Sequence, residues 1–323
     1  MKRRMKRRKK LFLPVLLLLA LPLVAMLSGC NQEAQTTQEQ TNAEKWGIDK
    51  FVVVQLPREG DPENYLYWAV FDEALSEAIG IPVEEIIGTD YTACIEAMRT
   101  GHAHLADFGP LAYVFARERA DAEALVNWGV WDEEAQEYVV GYYGMIIVRA
   151  DSDIYTLDDL VDRSFAFTDP ASTSGHLVPA HELLTHFRAN GYPELVIEDL
   201  QANGRFFSTV TFTGTHTNYI NAVFLGDVEA AGVANTTYES LVRRGLMDDL
   251  QIRIIGKSPM IPQDPYAIKG TLPQELKDLV LQFLLDFDDP NFFGEGSKDR
   301  FLQVADSAYD YLQELRDAYG LTE

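Results

Sequence analysis

An α/β fold of two lobes is what this chain predicts, on three observations. From residue 51 onward, short apolar runs with strand character alternate with helical stretches, the pattern of mixed or parallel sheets covered by helices on both faces. The runs 140–149 and 253–262 are strand-like and stand where a chain would cross from a first lobe to a second and return. The part from Trp46 to Glu323 is long for one core and fits two. In such folds a ligand sits beyond the carboxyl ends of the strands, near helix N-termini.

Residues 51–56, opening Phe-Val-Val-Val, read as a strand, 63–79 as a helix and 83–87 as a strand. The amphipathic stretch 91–99 reads as a helix. A short strand at 105–108 follows, then a helix at 111–120 with Pro110 near its start, where proline is tolerated. Residues 138–149 form a long β-rich run containing Gly141 and Gly144, and 157–161 looks like a short helix. A strand at 164–167 precedes a helix at 180–189. Residues 206–213 alternate as a strand does, 218–225 return to helix, and 230–234 and 252–255 are strands. The tail from Pro273 reads as mostly helical, and no internal repeat is present.

The first ten residues hold eight Lys or Arg and no acid, 11–27 are apolar, and Leu27-Ser28-Gly29-Cys30 closes the run. A basic region, an apolar region and small residues before a cleavage point make a secretory signal. The ending resembles the lipobox of bacterial lipoproteins, which implies a signal peptide over 1–29 and a lipid anchor on Cys30. Residues 31–45 are rich in Gln, Thr and Glu, so 30–45 reads as a flexible tether. The lobes then divide as 46–145 for the first part of lobe 1, 146–250 for lobe 2, and 251–323 for the return to lobe 1 with C-terminal helices. Of 27 basic and 50 acidic residues, eight basic ones lie in the signal; 19 against 50 leaves −31 without it. That sign argues against nucleic acid or an anionic lipid surface as partner, since both want basic patches. Outside the signal no 18-residue stretch is apolar throughout. With Cys30 acylated, Cys94 has no disulfide partner and reads as a small core residue.

The stretch 167–179, Phe-Thr-Asp-Pro-Ala-Ser-Thr-Ser-Gly-His-Leu-Val-Pro, is the most informative. A strand runs into Asp169-Pro170, which breaks it, and Ser172, Thr173, Ser174 and Gly175 lead into a helix. Ser and Thr favour helix N-caps, and a first turn leaves N–H groups without intrahelical partners. Together with the positive end of the helix dipole these favour an anion such as phosphate, sulfate or carboxylate. An ordinary N-cap accounts for one such hydroxyl, less readily for three in a row with a glycine. Gly214-Thr215-His216-Thr217-Asn218 is a second strand-to-helix corner, where His216 can donate to an anion or simply cap. Residues 107–113 make a third, in which Tyr113 is either core or a ligand hydroxyl, and Tyr91 follows Thr89-Asp90 in a similar place. The proline-punctuated 258–265 carries Asp264, a loop cap or an acceptor for the O–H of a protonated phosphorus oxyanion. Sulfate has no such O–H at neutral pH and would be repelled.

Asp-Pro-x-Ser-Thr-Ser-Gly-x-x-x-Pro at 169–179 is similar to the signature of the substrate-binding proteins of phosphate/phosphite/phosphonate ABC transporters, the PhnD-like family. So are Tyr91 with Glu96-Ala97-Met98-Arg99-Thr100-Gly101, Phe108-Gly109-Pro110-Leu111-Ala112-Tyr113, Gly214-Thr215-His216 and Ser258-Pro259-x-Ile261-Pro262-x-Asp264-Pro265. The resemblance implies a type II periplasmic-binding-protein fold, two α/β lobes joined by a hinge with the ligand cleft between them. It implies that Ser172, Thr173, Ser174 and His216 hold the phosphorus oxygens, that Tyr113, Tyr91 and Tyr67 wall the pocket, and that Asp264 meets the remaining substituent. It also implies an ABC permease with its ATPase as partner, no cofactor, and a monomer on the outer face of the cytoplasmic membrane. Two departures are present. Thr217 stands where relatives often carry an acid, and Asn235-Thr236-Thr237 lacks the acid of aminophosphonate binders. Both favour phosphate, phosphite or a simple alkylphosphonate over 2-aminoethylphosphonate.

Two other classes remain open. Ser172 or Ser174 with His216 invites a serine-hydrolase reading, but no Gly-x-Ser-x-Gly elbow is present, the residue two before Ser174 being Ser172. His102, His104, His176, His181 and His186 invite a zinc-binding lipoprotein. However, His181 and His186 are five apart and do not share a helix face as i, i+4 ligands do.

Overall fold

The computed structural model describes residues 40–57 and 62–321, with 62–67 described by their backbone alone. The predicted signal peptide, Cys30 and the tether up to residue 39 lie outside the described residues. Two sheets carry most of the strands. In the first the spatial order is Arg300–Gln303, Ala122–Asp132, Pro265–Lys269, Leu105–Asp107, Phe51–Gln55, Val83–Ile87, and Glu137–Val139 pairs back onto Ala122–Asp132. In the second it is Ile252–Lys257, Gly144–Arg149, Ala230–Ala234, Ser164–Phe167, Thr209–Phe212.

Both sheets follow one plan. The first strand of each lobe, Phe51–Gln55 or Ser164–Phe167, lies parallel between two neighbours. The next strand over arrives from the other lobe and runs antiparallel: Pro265–Lys269 in the first sheet, Gly144–Arg149 in the second. Between the sheets, Gly141–Tyr142 and Ile261–Pro262 pair as an antiparallel ribbon, with Tyr142 opposite Ile261. The ribbon belongs to the two runs read as crossings, and Ser258 staples it: its hydroxyl accepts from the Gly144 N–H at 2.9 Å while its own N–H donates to the Gly144 carbonyl at 2.8 Å. This is the two-lobed, hinged α/β architecture of the type II class.

Side chains enter cores on both faces of each sheet. Phe51 and Val53 pack with Trp68, Phe71 and Val280; Val52 and Val54 pack with Ile95, Leu111 and Tyr113. In the second sheet Ile146, Val148, Phe165 and Phe167 meet Leu183 and Phe187, while Met145, Ile147 and Ala166 meet Tyr219 and Tyr238. Sheets covered on both faces explain why these strands read as unbroken apolar runs.

Several elements differ from the expectation. Asn42–Trp46 is a helix rather than tether: Thr41 and Glu44 form a capping box, and Trp46 donates from Nε1 to the Ile79 carbonyl at 3.0 Å. The β-rich run 138–149 is interrupted at Val140 and Tyr143, so that its pieces serve three sheets. The strand expected over 206–213 is only Thr209–Phe212, because Phe206 and Phe207 turn inward against Phe187 and Phe165. The tail holds the helices Gln274–Asp286 and Asp310–Ala318 but also the edge strand Arg300–Gln303, whose Phe301 fills the cluster beside Trp128 and Phe71. Ala122–Asp132, the longest strand, has no regular alternation of burial that would mark it in the sequence.

Candidate ligand-binding cleft

The carboxyl ends of the parallel strands from both sheets open onto one cleft, as the general rule for α/β sheets requires. Beyond Phe167 the chain turns sharply, with the Asp169 carboxylate accepting from the Ala171 N–H at 2.8 Å. Ser172 then caps a single π turn, Thr173–Leu177, accepting from the Gly175 N–H at 3.2 Å, and the turn continues into the helix Val178–Ala189. π turns are rare and recur at functional sites. Here the turn places Ser172, Thr173 and Ser174 together on the cleft wall. A Cβ on Gly175 would collide with the Thr168 side chain, so only glycine lets the Thr168 N–H reach the Gly175 carbonyl at 3.0 Å. His176 supports the loop from beneath. Its Nδ1 lies 2.8 Å from the Pro170 carbonyl, which can only accept, so Nδ1 carries the proton. Nε2 then accepts from Gln201 at 2.7 Å. Burial pushes the His176 pKa down to about 4, which keeps the ring neutral.

Lobe 1 meets this cradle at three points. The Leu111 N–H, in the first turn of Pro110–Arg119, donates to Thr173 Oγ1 at 2.8 Å. Thr173 therefore accepts from lobe 1, and its own O–H is the part that can donate to a ligand. The Tyr91 N–H donates to the Asp169 carboxylate. The Tyr91 hydroxyl stands 3.0 Å from His216 Nε2 and within hydrogen-bonding reach of Ser172. His216 opens the helix His216–Leu225 behind the N-cap Thr215, and its Nδ1 meets the Tyr219 hydroxyl. Asp264 also lines the cleft, with its Oδ1 buried. Burial, with the Asp264 charge second for Tyr142 and Tyr309 and contributing also at Tyr91, pushes these hydroxyls above the ordinary tyrosine range. Tyr91 and Tyr142 line the cleft as neutral hydroxyls, whereas the Tyr309 hydroxyl donates to the Gln263 carbonyl at 3.0 Å.

Ser172, Thr173, Ser174, His216, Tyr91 and Asp264 thus line one cleft. Tyr113 does not, which corrects the expectation for it. Its ring is fully buried against Tyr309 at 4.9 Å, and its hydroxyl donates to Asp306 while accepting from the Ala124 N–H at 3.2 Å. Being one turn into its helix, it faces the lobe 1 core rather than the cleft. Tyr67 lies outside the residues whose side chains are described. The sequence reading missed Tyr142 on the hinge ribbon, whose hydroxyl is within reach of Ser174 and Thr173. It also missed Gln263 and Ser240, while the segment 235–237, read only for the acid it lacks, opens the helix Asn235–Arg243 and brings Thr236 and Thr237 to the wall. An aromatic flanked by Gly141 in a crossing strand was the available signal for the first. Asn-Thr-Thr after the apolar run Ala230–Ala234 was the signal for the helix.

The histidines that suggested zinc have separate engagements: His104 accepts from the Val52 N–H at 2.9 Å, His181 meets Tyr319 and His186 meets Asp158. Among the described residues no group of three His, Cys, Asp or Glu side chains is placed to hold a metal ion. For the hydrolase reading, tyrosine hydroxyls stand at both ring nitrogens of His216, Tyr91 at Nε2 and Tyr219 at Nδ1.

Two lobes on one plan, a hinge ribbon, and hydroxyl donors gathered at facing helix starts define a ligand-capturing protein of the type II periplasmic-binding class. The family model of the ABC-transporter phosphonate periplasmic substrate-binding proteins matches residues 53–309, and the chain belongs to that family. It is similar to the phosphonates-binding periplasmic protein of Escherichia coli, 28% identical over 77% of this chain and 68% of that one. It is also similar to the phosphate-import protein PhnD of Mycolicibacterium smegmatis, 26% identical over 92% of both. Among solved structures, a binding protein component of an ABC phosphonate transporter from Pseudomonas aeruginosa superposes with a TM-score of 0.71 at 22% identity, covering 84% of this chain and 86% of the other. PhnD1 of Prochlorococcus marinus, solved with methylphosphonate, superposes at 0.69 with 17% identity, covering 84% and 98%. These likenesses show the shared fold.

Proposed function

We propose that this protein is the lipid-anchored, non-enzymatic receptor of an ABC importer. It captures phosphate, phosphite or a simple alkylphosphonate between its lobes and delivers it, as a monomer, to a permease and its ATPase. The observation that carries the reading is the donor set itself: Ser172, Thr173, Ser174 and His216 face one cleft with a single acidic side chain, Asp264, on its wall. Hydroxyls and helix-start N–H groups in a closed cleft bind an oxyanion through charge-assisted hydrogen bonds of about 1.5–3 kcal/mol each. The acid is useful only to an anion that brings an O–H. The names of the relatives, one for phosphonates and one for phosphate, and the methylphosphonate bound to the P. marinus protein support the ligand class.

The test is thermal denaturation of the purified protein, refolded to remove bound ligand, with phosphate, phosphite, methylphosphonate, 2-aminoethylphosphonate and sulfate in turn. A ligand that binds only the folded state adds about 2.7 kcal/mol at a hundredfold excess over its dissociation constant. The expected result is a selective upward shift with a phosphorus oxyanion and none with sulfate; no shift with any phosphorus compound overturns the reading. The anchor has its own test: mass spectrometry of the membrane-extracted chain is expected to show cleavage before Cys30 and an acylated cysteine.

A further inference from the structure

His216 stands at the cleft with a tyrosine hydroxyl at each ring nitrogen, and the two contacts differ in kind. Nε2 lies on the cleft side, 3.0 Å from the hydroxyl of Tyr91, and both residues line the cleft. Nδ1 meets the hydroxyl of Tyr219, one turn further along the helix His216–Leu225. Tyr219 is fully buried and is not among the cleft-lining residues. Burial pushes its phenol above the ordinary tyrosine range, so the hydroxyl keeps its proton. Which histidine nitrogen is protonated then follows from where that proton goes. The Tyr219 oxygen receives the backbone N–H of Ala234. The nearby Thr168 hydroxyl acts on it in the same donating sense, and Thr168 Oγ1 takes part in no hydrogen bond of standard geometry that would make it the acceptor. Nδ1 of His216 is the acceptor that remains for the Tyr219 O–H. The reverse arrangement aims a second N–H at an oxygen already served and leaves a buried O–H unmatched, which is costly. We infer that Tyr219 is a positioning residue for ligand capture: its hydroxyl donates to Nδ1 and holds His216 in the tautomer whose Nε2 carries the proton, so that the neutral ring presents an N–H to the oxyanion. The chain from the Ala234 N–H through Tyr219 and His216 to Tyr91 then runs one way, each donor polarised by the one behind it. This rests on the reading of the cleft as an oxyanion site and names how His216 serves it.

The test is nuclear magnetic resonance of the ligand-free protein with isotope-labelled histidine nitrogens, in which a protonated ring nitrogen and a bare one resonate far apart. The His216 signals are the pair lost in His216→Ala. At neutral pH the parent is expected to show a bare Nδ1 and a protonated Nε2. Tyr219→Phe, which removes the hydroxyl and keeps the ring, is expected to show both tautomers. Titration with methylphosphonate should read about 3- to 10-fold weaker binding in Tyr219→Phe than in the parent. Because Tyr219 acts through the histidine ring, adding Tyr219→Phe to His216→Ala is expected to cost no further affinity, whereas independent structural damage would add to the loss. A protonated Nδ1 in the parent overturns this inference and leaves the cradle reading standing. Losses that add in the double variant overturn the positioning role. Failure of the parent to bind methylphosphonate, phosphite and phosphate overturns the cradle reading, and the capture role of Tyr219 with it.

Discussion

At the scale of single residues, the three consecutive hydroxyls are not equivalent. Ser172 Oγ accepts from Gly175 as an N-cap, Thr173 Oγ1 accepts from Leu111 in the other lobe, and Ser174 faces the Tyr142 hydroxyl. Ser172→Ala and Thr173→Ala should each lower ligand affinity by about 10- to 100-fold, the loss of one hydrogen bond to a charged group. Folding should persist, since an N-cap hydroxyl is worth about 1 kcal/mol. Titration of both variants with unchanged affinity would remove these residues from the site. Asp264→Asn replaces a pure acceptor with a group that also donates, so sulfate is expected to bind more tightly than in the parent protein, read by its thermal shift. Gly175→Ala drives a methyl group into Thr168 at the base of the cradle. It should cost about 1–3 kcal/mol of stability as overpacking and weaken binding at the same time; chemical denaturation and titration of this variant check both.

At the scale of elements, the π turn depends on a neutral histidine beneath it, and the strand Phe51–Gln55 on another beside it. His176 and His104 are both buried, and burial pushes each pKa down to about 4 from 6.5, with Lys269 adding to the effect at His104. The unfolded chain therefore binds more protons than the folded one between these values. Stability is fully present above pH 6.5 and is lost as pH falls toward 4, by up to about 3 kcal/mol per histidine. Glu182, pushed up to about 7 by burial, titrates in the opposite sense and offsets part of this loss. A melting-temperature profile from pH 7.5 to 4.5 should fall less steeply in His176→Gln than in the parent. Parallel slopes would show that His176 is not the group responsible.

At the scale of the whole molecule, closure is held by contacts that join helix starts of lobe 1 to the cradle of lobe 2. The Tyr91 N–H on Asp169 and the Leu111 N–H on Thr173 need both lobes in place. Asp169 is not among the cleft-lining residues, yet it helps define the closed state, and a ligand gains affinity only to the extent that closure is populated. Asp169→Ala should therefore weaken binding by about tenfold without touching the ligand. In solution scattering the parent is expected to contract on adding methylphosphonate, and the variant to need more ligand for the same contraction. Equal ligand dependence in the two would sink the latch.

The sequence by itself determined the parts set by local chemistry. The strand ends that run into Asp169-Pro170 and Gly214, the hydroxyl run that must cap a helix, and most strand and helix positions follow from propensity and pattern within a few residues of each. It also carried the two crossing runs, because a strand that leaves one sheet for another keeps its apolar character on both sides of the hinge. Tertiary structure decided what depends on distant neighbours. Tyr113 went to the core because Asp306 and Tyr309, remote in sequence, supply its hydroxyl partner and ring contact. Tyr142 joined the cleft because Gly141–Tyr142 pairs with Ile261–Pro262, and Arg300–Gln303 became a strand because Ala122–Asp132 offered an edge. Local pattern places a residue on an element, but which side chains share one cleft is set by long-range packing between elements.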